Sequence, residues 1–180
     1  MWSEARPDII LFKNNKEEKL IAYDKDYDSS SHWVSFRNGV GLSDTGHMSF
    51  IGVDEEGKSH LVLFHDGVQK EIAVEGKDIK ELSHFSPVVN NKGQVAFKAL
   101  DKDGNTGIYI GDGDSIKRVV NQHDILNFNG RKFRVSYGEH IPFGGNIALN
   151  DKGDIIINTG LADESGTRDL GRGIIAFYTK

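Results

Sequence analysis

The sequence predicts an all-β chain assembled from repeated, antiparallel, four-stranded units. Three observations predict it. A turn reading Ser/Asn, Asp/Asn, any residue, Gly recurs before three apolar-rich segments. Further Asp/Gly turns follow each copy before the next apolar segment. The chain has 21 glycines and only 3 prolines in 180 residues, against a usual glycine share of about 7%, which marks many tight turns between short strands.

The three copies are Gly41 to Val53 (GLSDTGHMSFIGV), Val88 to Leu100 (VVNNKGQVAFKAL) and Ala148 to Leu161 (ALNDKGDIIINTGL). Their turn glycines, Gly46, Gly93 and Gly153, stand 47 and 60 residues apart. In such a turn Asn or Asp closes an Asx-turn on the backbone, and glycine supplies the positive φ before the next strand. Each copy is therefore a hairpin. A second turn and a third strand follow: Asp54 to Gly57 before His60 to Phe64, Asp101 to Gly104 before Gly107 to Ile110, and Asp163 to Gly166 before Gly173 to Phe177. Two copies add a fourth strand, Gln69 to Val74 after His65-Asp66-Gly67 and Ser115 to Val120 after Gly111-Asp112-Gly113.

Four short antiparallel strands on a period of roughly 45 residues are the pattern of β-propeller blades. Near the start, Asp8 to Phe12 and Lys19 to Tyr23 match only the third and fourth strands of a unit. The expected division of a single domain, 1–180, is a partial blade over 1–38 and a blade over 39–86. A blade over 87–145 follows, with an extra hairpin at about 124–136, and then a partial blade over 146–180. Both ends supply a third strand and would compete for one place in a small ring. An open stack, or a piece of a longer propeller, is the expected arrangement.

The segments LNDKGDIII, VNNKGQVAF and VVNQHDILNFNGRKF resemble the repeats of bacterial exported propeller-like proteins with Asn-Asp/Asn-x-Gly-x-Val-x-Phe turns. More distantly they are similar to TolB-type and Asp-box propeller blades. The turn Ser43-Asp44-Thr45-Gly46 departs from an Asp box by lacking the aromatic residue that ends one. This resemblance spans nearly the whole chain but rests on turn chemistry, so it implies a fold and little about activity. It also implies export to the periplasm or the cell exterior, with a leader expected to be absent from this sequence, since Met1 to Leu11 lacks the charged-then-apolar order of one.

Composition narrows the function classes. The net charge is −5 and the 22 Lys and Arg are dispersed, so the basic footprint that phosphate neutralisation needs is missing and nucleic acid is not an expected partner. No stretch approaches the 18 apolar residues of a spanning helix, so membrane insertion is not expected. The absence of cysteine excludes a disulfide framework and a thiolate metal site.

Among polar motifs, Asp101, Asp103, Asn105 and Asp112 fall at positions one, three, five and twelve of a calcium-loop count. Position six is Thr106 where the loop wants glycine, and position twelve is Asp where it wants a bidentate Glu. The sister turns at Asp54 and Asp163 share only the first Asp and the Gly, which makes a β-turn the competing reading. Ca2+ is the one cofactor this leaves in view. The seven histidines form no HExxH or comparable spacing, and no Gly-x-Ser-x-Gly elbow occurs. No catalytic residue is assigned.

The departure from the repeat is the long connection between Asn121 and Asn146. Unrepeated length is where binding tends to collect. Within it, Ile125 to Val135 carries Asn129-Gly130 between alternating residues, the signal of a two-stranded hairpin. Phe128, Arg131, Phe133, Arg134, Tyr137, His140 and Phe143 form a candidate contact patch, because rings offer stiff apolar area and arginine offers directed hydrogen bonds. The competing reading is that the phenylalanines cover the end of the stack. Trp33 is a second candidate, with packing between blades as its alternative. The expected function is a non-catalytic module presenting loops to a protein partner, with a glycan as the second choice of partner. A fragment of a glycan-acting hydrolase and a calcium-stabilised secreted repeat are the alternatives.

Overall fold

A computed structural model describes residues 9–13, 16–22, 25–26, 28–37, 39–135 and 142–178. It is all-β: no helix occurs among these residues, and the strands form antiparallel sheets. β1 (Ile9–Lys13) and β2 (Lys16–Ala22) make a two-stranded first sheet. The second sheet holds β3 (Ser35–Phe36), β4 (Gly41–Leu42), β5 (Met48–Val53), β6 (Ser59–His65) and β7 (Val68–Val74). The third holds β8 (Glu81–Leu82), β9 (Val88–Val89), β10 (Val95–Leu100), β11 (Thr106–Gly111) and β12 (Ile116–Asn121). The fourth holds β13 (Ile125–Phe128), β14 (Arg131–Val135), β15 (Ala148–Leu149), β16 (Ile155–Asp163) and β17 (Asp169–Phe177).

The three larger sheets share one plan. Two short strands pair with one edge of a long strand, as β3 and β4 do with β5, and β8 and β9 with β10. The other edge takes β6, β11 or β17. A fourth strand then follows in two sheets, β7 on β6 and β12 on β11, each with a register shift at an equivalent point, Leu61/Val62 and Ile108/Tyr109. In the fourth sheet β17 pairs only with β16 among the described residues.

The three repeated turns have like surroundings. Gly46, Gly93 and Gly153 have φ of +83°, +75° and +87°, and each donates its N–H to the carbonyl of Ser43, Asn90 or Asn150 three residues earlier. These turns also bond to one another along the stack. Asn91 donates its backbone N–H to Asp151 Oδ1 and its Nδ2 to Oδ2, both at 2.9 Å. Its own Oδ1 accepts the Thr45 N–H at 3.1 Å. A polar column thus runs across the sheets where the sequence repeats.

The apolar core lies between neighbouring sheets. Alternate residues of one strand point to opposite faces, so Phe50, Val62 and Phe64 pack toward the first sheet, on Ile9 and Ala22. Ile51, Leu61 and Leu63 point the other way and meet Val95, Phe97 and Tyr109 of the third sheet. Ala96 and Ile108 on that sheet's far face meet Ile155 and Ile157 of the fourth. Inner strands buried on both faces read as nearly continuous apolar runs, as in SFIGV and VAFKAL, where Ser49 and Lys98 are the polar residues buried among them. On the fourth sheet the face that this pattern would cover next is open: Ile156 and Ile174 are exposed.

Candidate functional site

The unrepeated connection builds the end of the stack. Asn129 and Gly130 both have positive φ, +50° and +76°, as the tight hairpin turn between β13 and β14 requires. The hairpin is part of the fourth sheet: β14 pairs with the C-terminal half of β16, in the place β3 and β8 take in the sister sheets. An open groove of about 590 Å3 runs beside it, lined by Leu126, Phe128, Phe133, Leu161, Ile174 and Phe177 among others. Phe128 is 69% exposed and Ile174 78%.

The candidate patch divides. Phe128 stands opposite Arg131 at the hairpin's end, both exposed, and Phe133 is half-buried along the groove. Arg134 is tied down: its guanidinium donates Nη2–H and Nε–H to the Glu164 carbonyl at 2.8 and 3.2 Å. Lys132 reaches the Glu164 carboxylate at 2.6 Å, so these two cations brace the hairpin against the turn after β16. Phe143 is 2% exposed and packs in the core between the third and fourth sheets. Tyr137 and His140 lie outside the described residues. Trp33 is half-buried over the first core, edge-on to Phe50 with ring centroids 6.3 Å apart.

Lys98 escaped the sequence reading. It is 5% exposed on β10, its ammonium donates to the Phe143 carbonyl, and Nζ lies 3.7 Å from the Phe85 ring centre. Burial pulls its pKa down to about 8. A lysine inside a strand with both faces covered has to be buried with it, and that coverage comes from the neighbouring sheets.

The histidines at the two ends of β6 point apart. His60 Nε2 meets Asp54 at 3.0 Å and Nδ1 meets Glu71 at 2.9 Å. Burial alone would lower its pKa, but the hydrogen bonds to the two carboxylates outweigh that and raise it. His65 instead stacks on His47, with ring centres 3.7 Å apart and planes within 8°. Burial first, and then the neighbouring His65, lower the pKa of His47, against a smaller opposing effect of Asp66.

Asp101 serves its turn. Its Oδ1 accepts the N–H groups of Asp103 and Asn105 at 3.0 and 2.8 Å, and its Oδ2 accepts the Asn121 amide at 2.6 Å. These bonds outweigh its partial burial and lower its pKa. Asp112 Oδ1 likewise accepts the N–H groups of Asp114 and Ser115, both at 3.0 Å. Asp54 and Asp163 cap the sister turns in the same way. Among the described residues no three His, Asp or Glu side chains gather as a metal-ligand set.

No helix among the described residues is long and apolar enough to cross a membrane. No curated protein and no solved structure matches the chain. A family model described as a family of unknown function, DUF7453, matches residues 35–179, which span the second, third and fourth sheets and the connections between them. The chain belongs to that family.

Proposed function

We propose that the chain is a non-catalytic binding module, a propeller-like stack of sheets of the exported bacterial kind, that presents the β13–β14 hairpin to a protein partner. The observation that carries this reading is Phe128. A phenylalanine left 69% exposed at the mouth of a groove lined by Leu126, Phe133, Leu161 and Ile174 is costly to keep in water unless something covers it. The hairpin is braced by Arg134 and Lys132 on Glu164, so the ring is held out on a stiff support, which lowers the ordering cost of an encounter.

The test places a photo-crosslinking residue at position 128, and a second at Lys58 in a turn of the second sheet, and exposes both proteins to the cells of origin. One protein enriched at position 128 over position 58 is the expected result. Phe128→Ala should then weaken binding of that purified protein at least about tenfold, the loss of a buried aromatic anchor. Equal labelling from both positions overturns the reading.

A further inference from the structure

Lys98 is a buried cation without a carboxylate. It is 5% exposed, and among the described residues no acidic side chain comes within ion-pair distance of it. Buried charges in proteins are ordinarily paired, because an ammonium loses its hydration on burial. Of its three N–H groups, one goes to the Phe143 carbonyl, and one side of the ammonium faces the Phe85 ring. No acceptor for a further N–H stands among the described residues.

That carbonyl comes from a strained residue. Phe143 has a φ of +54°, a left-handed angle that a bulky side chain rarely takes, and backbone strain of this kind collects at ligand clamps.

A cleft lies against the same groups. Lys98 and Leu100 point to the face of the third sheet that Ala96 and Ile108 turn toward the fourth, and Thr106 stands opposite Leu100 on that face. With Leu82, Phe85 and Pro142 they line an open cleft of about 180 Å3. An apolar cavity of about 150 Å3 holds one benzene, so this cleft has room for a ring or a short alkyl chain. Glu81 and His84 are the other titratable side chains along it among the described residues; both are exposed, and neither bonds to Lys98.

We infer that this cleft binds a small monocarboxylate with an apolar body no larger than a benzene ring, its carboxylate accepting from the Lys98 ammonium and its body lying along Phe85, Leu100 and Pro142. A single ammonium neutralises a single charge, and a phosphate dianion would bring a second that nothing in the cleft matches. The site is separate from the β13–β14 hairpin and does not depend on it.

The probe is benzoate, with benzamide as its uncharged counterpart, titrated into isotope-labelled protein and followed by amide NMR. Saturable shifts confined to residues 82–85, 98–100 and 106 are expected, with a dissociation constant on the order of a millimolar, ordinary for so small a ligand. Benzamide should bind at least about tenfold more weakly, the loss of a hydrogen bond to a charged group. Lys98→Met, which keeps the volume and drops the charge, should erase that preference. Leu100→Trp, which fills the cleft and leaves the ammonium in place, should abolish binding of both probes. Benzoate affinity should also fall as pH rises through about 8, where Lys98 loses its proton and a carboxylate does not titrate. Benzamide or inorganic phosphate binding as tightly as benzoate overturns the inference. So does a benzoate preference that survives in Lys98→Met, or a lack of saturation about tenfold above the expected constant.

Discussion

The ring of Trp33 rests on Gly52: a methyl group on that glycine would lie 2.5 Å from Trp33 Cε3. Gly52 pairs with His60 on one edge of β5 and with Phe36 on the other, so the backbone cannot easily withdraw. Its glycine is therefore a matter of space. Gly52→Ala is expected to cost about 1–3 kcal/mol, the usual penalty for overpacking. Trp33→Leu in the same chain should relieve most of that cost, and urea unfolding of both single variants and the double variant measures the coupling.

Lys98 predicts an alkaline gain in stability. Its folded pKa of about 8 lies below the ordinary 10.5, so between these values the unfolded chain holds more protons than the folded one. Stability then rises with pH across that window. The full effect is at most about 3 kcal/mol. The difference in unfolding free energy between the native chain and Lys98→Met, followed from pH 7 to 10, should move in the native chain's favour. A difference that stays flat would show that the ammonium carries no burial penalty.

His60 and His47 act with opposite signs. The raised pKa of His60 means that it stabilises the fold below its ordinary value, and that this is lost as pH rises through its folded pKa. The lowered pKa of His47 means that its contribution is present above the ordinary value and is lost as pH falls. His60→Gln should therefore flatten the acid side of the stability profile in one direction and His47→Gln in the other. Thermal unfolding between pH 5 and 8 tests the pair, and slopes of the same sign would refute it.

Asp151 closes the column of turns. Its pKa is lowered by the two bonds it accepts from Asn91, so its stabilising effect is present above the ordinary carboxylate value and lost as pH falls through the folded one. Asp151→Ala should destabilise the fold, and Asn91→Ala should remove part of the same interaction. The double variant should cost less than the two added together. Additive losses would mean that the turns do not act on each other.

The repeated corners are legible in the sequence because their chemistry is local. Gly46, Gly93 and Gly153 announce themselves through a backbone angle that other residues adopt poorly, and Asn129-Gly130 does the same for the hairpin. The split first strand is not legible, since β3, β4, β8 and β9 have two residues each, too few for any alternation to show. Nor does the sequence say that β14 joins β16, a pairing across about 30 residues set by tertiary packing. At the site, Phe128 is found by its place beside the turn. Phe143, similar in local sequence terms, is drawn inward by the core between the third and fourth sheets, and Lys98 stays hidden until both faces of β10 are known to be covered.

Because every apolar layer is shared by two adjacent sheets only, damage has a short range. A change at Ile157 is felt by the third and fourth sheets, and nothing connects it directly to Phe50. Unfolding can start in one layer and halt at the next intact seam, as in a one-dimensional array of coupled units, so the molecule is built to lose one layer at a time.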